Sequence, residues 1–117
     1  MSLKEPYKWN AQCVKRMVQE ITDSSQIPKD GKVILDFYAT WCGPCKRVAP
    51  VYIELAGYFQ SISFFKVDVE EAQTLSEEFS IESLPTFVLM HNGKIVKRIE
   101  GANIDAVLSA LKELKAL

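Results

Sequence analysis

The hydrophobic positions of this chain switch between continuous, helical and alternating spacing, and each switch marks an element. Val33-Ile34-Leu35-Asp36-Phe37-Tyr38 is a β-branched and aromatic run interrupted only by Asp36. That is the pattern of a strand buried on both faces, and it predicts a central place in a sheet. Beyond Gly43-Pro44, Val48, Val51, Tyr52, Leu55, Ala56 and Phe59 recur at helical spacing. Pro44 suits the first turn, where its missing N–H costs nothing, and Pro50 inside the helix predicts a bend. Ile62 to Val69 predicts a second buried strand, and Glu71 to Phe79 a helix with Leu75 and Phe79 facing inward. Pro85 to Met90 predicts a strand, joined through Asn92-Gly93, the strongest short hairpin signal, to a strand over Lys94 to Ile99. Gly101 breaks that strand, Asn103 supplies a cap, and Ile104, Val107, Leu108, Leu111 and Leu114 line one face of a terminal helix.

Periodicity is less decisive near the N-terminus. Residues 1–12 read as a polar arm ahead of one domain over 13–117. Cys13 to Val18 is read as a strand, although Val14, Met17, Val18 and Ile21 also fit a helical face. Thr22, Asp23 or Ser24 caps a short helix that Pro28 and then Asp30-Gly31 must end. Strands alternating with helices, closed by a hairpin and a helix, predict an α/β fold with a mixed sheet covered on both faces.

Composition narrows the function without naming it. A length of 117 residues suits a single core. Fourteen Lys and Arg against fifteen Asp and Glu leave a net charge of −1, so no basic excess points to nucleic acid. The apolar runs fall far short of the ~20 residues of a spanning helix. The start, Met1 to Pro6, has neither the apolar core of a secretory signal nor the Arg-rich bias of a transit peptide. A cytoplasmic protein is expected, or an organellar one if a leader has been removed. Cys13, Cys42 and Cys45 are an odd number, which argues against a secreted disulfide scaffold and for a reducing compartment.

The chemistry gathers at Trp41-Cys42-Gly43-Pro44-Cys45, where a strand gives way to a helix. A thiolate is stabilised where free backbone N–H groups and the positive end of a helix point at it, and Cys42 occupies that place. Cys45, three residues on, shares its helix face and lies within bridging reach. The functional reading is attack by Cys42 on a substrate disulfide, followed by attack of Cys45 on the mixed disulfide. The bland alternative is half of a zinc site completed by Cys13 and His91, neither of which belongs to a second ligand knuckle. Asp36 is a carboxylate in a run that should be buried, so its pKa should be raised. It is expected to take the proton of Cys45 through a water, against the plainer role of a structural hydrogen-bonding group. Lys66, in the neighbouring predicted strand, would support it. Pro85 cannot donate in a strand ladder, and a cis Pro there would present the Leu84 and Thr86 backbone to a partner chain. Trp41 reads either as core or as a cover for the site.

Trp41 to Lys46 after Asp36-Phe37-Tyr38-Ala39, with Leu84-Pro85-Thr86-Phe87, Lys66 to Val69, Asn92-Gly93 and Gly101-Ala102-Asn103, resembles the thioredoxin family. The resemblance implies a five-stranded mixed sheet flanked by four helices, and reduction of protein disulfides by a monomer. It assigns Cys42 as attacking thiol, Cys45 as resolving thiol, Asp36 as buried acid and Pro85 as a cis proline. Trp41, Gly43, Pro44, Leu84, Pro85, Thr86, Gly93, Gly101 and Ala102 would contact an extended substrate peptide held mainly through its backbone. No bound cofactor is implied, with electrons reaching the dithiol from NADPH through a thioredoxin reductase and passing to disulfide-containing clients. Gly43-Pro44 between the cysteines is the pairing of the reducing members. Tyr38 stands where many bacterial members have Trp, and Ala72, Phe79 and Ser83 stand where some animal members have regulatory cysteines. The competing class is a redox-independent binding module that uses the same groove.

Overall fold

The computed structural model describes residues 17–117. The element order is β1 (Val18–Glu20), a 3-10 turn (Ser24–Gln26), β2 (Lys32–Tyr38), α1 (Gly43–Tyr58), β3 (Ile62–Asp68), α2 (Gln73–Glu78), β4 (Thr86–His91), β5 (Lys94–Glu100) and α3 (Ile104–Lys115). The five strands form one sheet in the order β1-β3-β2-β4-β5. The pairs β1 with β3 and β2 with β3 are parallel, whereas β4 runs antiparallel to both β2 and β5. The expected mixed sheet with a central Val33 to Tyr38 strand is therefore present.

Side-chain alternation along β2 divides the core in two. Ile34 points to the face covered by α1 and α3, where it joins Tyr52, Leu55, Phe64, Phe87, Leu89, Val107 and Leu111. Val33, Leu35 and Phe37 point to the other face, with Phe65, Val67, Leu75, Val88 and Met90. Helices thus cover both faces, which is why β2 reads as a nearly unbroken apolar run.

Two expectations change near the N-terminus. The strand read over Cys13 to Val18 is observed as Val18–Glu20, and its first four residues lie outside the described ones. The resemblance implies four helices, whereas the described residues hold three α-helices and a 3-10 turn. The 3-10 turn has a local cause. Asp23 accepts the Ser25 N–H at 3.2 Å, and Gln26 Oε1 accepts the Asp23 N–H at 3.0 Å, so a capping box starts it. Pro28 and Gly31, whose φ is +86°, then leave too little chain before β2 for a longer helix.

Candidate active site

At the C-terminal end of β2 the chain turns through Ala39 to Cys42, and α1 begins at Gly43. Cys42 is the N-cap, and its Sγ accepts the backbone N–H of Cys45 at 3.2 Å. A sulfur in this place takes up a backbone donor that a helix start otherwise leaves orphaned. Cys42 and Cys45 are joined as a disulfide with Cα atoms 5.3 Å apart. Both are buried, in a small cluster with Ala39 against which Tyr38, Val69 and Leu84 pack. Trp41 is 66% exposed, so it stands beside the pair as an open flank rather than as core.

Asp36 lies behind the cysteines on β2 and is 6% exposed. Among the described residues its Oδ1 has no hydrogen-bond partner. Burial pushes its pKa up to about 7, against a smaller opposing pull from the Lys66 ammonium. A cavity of about 170 Å³ lies in front of it, lined by Asp36, Cys45, Lys46, Tyr38, Tyr52 and Lys66 among others. That space has room for water, and an unpartnered carboxylate gives water a polar anchor. The cavity wall includes Cys45 but not Cys42. Tyr52 forms part of the floor, and its hydroxyl donates to the Phe65 carbonyl at 2.7 Å. Burial first, and then the charge of Asp36, raises the Tyr52 pKa well above the ordinary phenol value. It therefore stays a proton donor and is no candidate base.

The strand register places Lys66 directly beside Asp36, as the neighbouring-strand reading expected. The same register places Glu20 of β1 on the other side of Lys66. Glu20 accepts the Tyr38 hydroxyl at 3.0 Å and lies 3.9 Å from the Lys66 ammonium. Burial and the hydrogen bond to Glu20 drive the Tyr38 phenol pKa upward. Glu20 and Val69 are site neighbours that reading the sequence missed. No local pattern marks them, because they arrive through strand pairing and loop packing.

The loop before β4 supplies the second wall. The Leu84–Pro85 bond is cis. Pro85 accepts the Gly101 N–H at 2.8 Å, so the β5 end with Gly101 and Ala102 lies alongside it. Thr86 donates its hydroxyl to the Ser83 carbonyl at 2.6 Å. Arg98 donates to the Phe79 and Ser80 carbonyls and so ties this loop to β5. Thr86 itself is fully buried and pairs with both Phe37 and Glu100, which leaves its backbone engaged within the sheet. Gly93 is not brought to the cysteines. It occupies the tight turn between β4 and β5, with φ +80° after Asn92 at +52°, at the opposite end of β4 from Thr86. Six strand residues separate those ends by about 20 Å. Glycine is required at this turn because the positive φ and the Lys29 carbonyl, 3.3 Å from where a Cβ would stand, disfavour a side chain.

His91 pairs with Lys32 at that same far end, away from Cys42, and Cys13 lies outside the described residues. Among the described residues no group of three or more His, Cys, Asp or Glu side chains gathers as a metal site, and no helix is long and apolar enough to cross a membrane.

Comparison with known proteins agrees with this geometry. The profile of the Thioredoxin family matches residues 14–113. A "Thioredoxin H-type" of Fagopyrum esculentum is 44% identical over 93 residues, covering 78% of this chain and 80% of the relative. "Thioredoxin-1" of Caenorhabditis elegans is 46% identical over 81 residues, covering 69% and 70%. Among solved structures, mitochondrial thioredoxin 3 of Saccharomyces cerevisiae in its oxidized form superimposes with a TM-score of 0.79 at 33% identity, covering 86% of this chain and 98% of that one. A paired Cys42 and Cys45 at a helix start, on a sheet of this order and with this match along its length, place the chain in the thioredoxin family as a thiol-disulfide oxidoreductase that reduces protein disulfides.

Proposed function

We propose that Cys42 is the attacking thiol, Cys45 the resolving thiol and Asp36 the group that moves the Cys45 proton. The observation that carries the assignment is the asymmetry of the cavity. Cys45 shares it with the unpartnered Asp36 carboxylate, whereas Cys42 sits at the helix start beside exposed Trp41 and Gly43. In the forward reaction the Cys42 thiolate attacks one sulfur of a client disulfide, and the other client sulfur leaves as a thiolate that takes up a proton. Cys45 then gives its proton to Asp36 through water and attacks the Cys42 sulfur. The second client thiolate departs, and the Cys42–Cys45 disulfide holds the two electrons' worth of oxidation. Thioredoxins work without a bound cofactor, so the dithiol is the whole redox group. A thioredoxin reductase drawing on NADPH is the proposed source of electrons.

The client strand is proposed to lie across the cysteines along Trp41, Gly43, Pro44, Leu84, Pro85, Gly101 and Ala102, with Gly93 and Thr86 taking no direct part. The working unit is proposed as a monomeric domain from residue 13 onward, supported by a family match that starts at residue 14, with residues 1–12 as an arm. The cytoplasm is the proposed compartment, in keeping with a third cysteine outside the exchanging pair. A trapping experiment tests the roles. Cys45→Ser should accumulate mixed disulfides with clients from a lysate and Cys42→Ser should not, and the reverse pattern would swap the two thiols.

A further inference from the structure

Three adjacent strands carry a row of charges across one rung of the sheet. Glu20 on β1 is in register with Lys66 on β3, and Lys66 is in register with Asp36 on β2. Side chains paired in register stand on one face, so the single ammonium has a carboxylate on either side. Its ion pair, at 3.9 Å, is with Glu20. Asp36 keeps an Oδ1 without a hydrogen-bond partner among the described residues. Tyr38, two residues beyond Asp36 and therefore on the same face, donates its hydroxyl to Glu20 at 3.0 Å, and its ring lies 5.8 Å from the Lys66 ammonium. Glu20 is thus anchored by one neighbour while it holds another.

We propose that Glu20 is a positioning residue for the exchange reaction: anchored by Tyr38, it draws the Lys66 ammonium toward the outer rim of the cavity and away from Asp36, so that the Asp36 carboxylate is left weakly neutralised and readily takes up a proton. This rests on the reading of Asp36 as the proton acceptor for Cys45. The other groups that face Asp36 do not duplicate the effect. From α1 come Cys45, Lys46, which is solvent-exposed and exerts no resolved pull on Asp36, and the hydroxyl of Tyr52, which is already committed to backbone carbonyls. From β4 comes apolar Phe87, its register partner, and the residues α3 packs on this face, Val107, Ala110, Leu111 and Leu114 among them, are apolar. Asp68 on β3 stands beside Tyr38, one step further along the strand pair. Lys66 is therefore the cation whose position decides how strongly Asp36 is neutralised, and Glu20 is the group that holds it.

The test is a carbon-13 titration of the Asp36 carboxyl in the oxidised full chain, where the paired cysteines do not titrate, for wild type, Glu20→Gln, Lys66→Met and the double variant. Gln keeps an acceptor for the Tyr38 hydroxyl and removes only the charge. In Glu20→Gln the Asp36 midpoint should fall by roughly half a pH unit as Lys66 swings inward. In Lys66→Met it should rise, and the double variant should match Lys66→Met alone. An Asp36 midpoint in Glu20→Gln equal to wild type overturns the proposal. So does an equal fall on the Lys66→Met background, which would mean that Glu20 acts by its own charge and not through the lysine. The pH profile of disulfide reduction is read on the same variants. If it follows the Asp36 midpoint, both readings stand. If the midpoint moves and the rate profile does not, Glu20's control of Asp36 is upheld and the proton role of Asp36 fails.

Discussion

The two faces of the central strand do opposite work within one residue of each other. Phe37 points into a largely apolar face, fully buried among Val67, Leu75, Val88 and Met90 and tilted against Phe79 at 5.4 Å. Asp36 points into the face under α1, where a cavity, an unpartnered carboxylate and the Glu20–Lys66 pair interrupt an otherwise apolar core. The first face lowers the free energy of the fold and reaches the cysteines through apolar Val69 and Leu84, with no titratable group of its own. The second gives up some of that stability, because a buried carboxylate is costly, and gains a proton acceptor behind the disulfide. Apolar burial on one side thus offsets the cost of holding a destabilising group on the other.

The largest expected effect breaks the chemistry alone. Cys42→Ser should bring dithiothreitol-driven reduction of insulin disulfides down to the uncatalysed background. The unfolding free energy of the reduced protein should stay within about 1 kcal/mol of wild type, since Ser is close to Cys in size and keeps an acceptor for the Cys45 N–H at the N-cap. Activity equal to wild type would sink the dithiol mechanism.

Phe37→Ala should do the converse. Removing a fully buried ring should cost about 3–5 kcal/mol in urea unfolding, while the molecules that remain folded keep the pH dependence of reduction. A shifted pH profile would show that the two faces are not separable.

Asp36 should show both costs in one residue. Its pKa in the folded protein is about 7 against an ordinary 3.8. Between those values the native state binds more protons than the unfolded chain, so stability falls as pH rises from about 4 to about 7 and then levels. The full drop is of order 4 kcal/mol. Asp36→Asn should remove that slope and be more stable than wild type at pH 8, measured by urea unfolding across the pH range. Its turnover should fall about 100-fold near neutral pH, the usual loss on deleting a proton acceptor. A wild-type stability that rises between pH 4 and 7 would contradict the burial of an uncompensated carboxylate.

The smallest expected effect tests the cover of the chemical face. Asn103 accepts the Ala106 N–H at 3.1 Å at the start of α3. Asn103→Ala should cost about 1 kcal/mol by thermal unfolding and leave the pH profile of reduction unmoved. A moved profile would couple the α3 cap to the proton path.

Local signals were enough for much of this. The even burial of Val33 to Tyr38, the helical spacing after Gly43, the Asn92-Gly93 turn and the cap at Asn103 depend on neighbours a few residues away, and the observed elements follow them closely. The dithiol was legible for the same reason, since two cysteines three apart at a helix start meet through local geometry. Gly93 shows the limit. Its residue type was informative about the turn, but only the antiparallel pairing of β4 with β2 reveals that the turn lies at the far end from Cys42. The short 3-10 turn and the late start of β1 are a second limit, because the apolar residues there fit two periods at once.

By itself, then, the sequence determined the strand that carries Asp36, the helix that carries both cysteines, and the reversible chemistry that such a pair supports. Tertiary structure alone decided that Glu20 joins Lys66 in the row beside Asp36. Glu20, Asp36 and Lys66 are between 16 and 46 positions apart along the chain, and only the register of three strands sets them in one row. Strand register depends on the pairing of whole hydrophobic faces, and a slip of one residue would turn every one of these side chains to the opposite side.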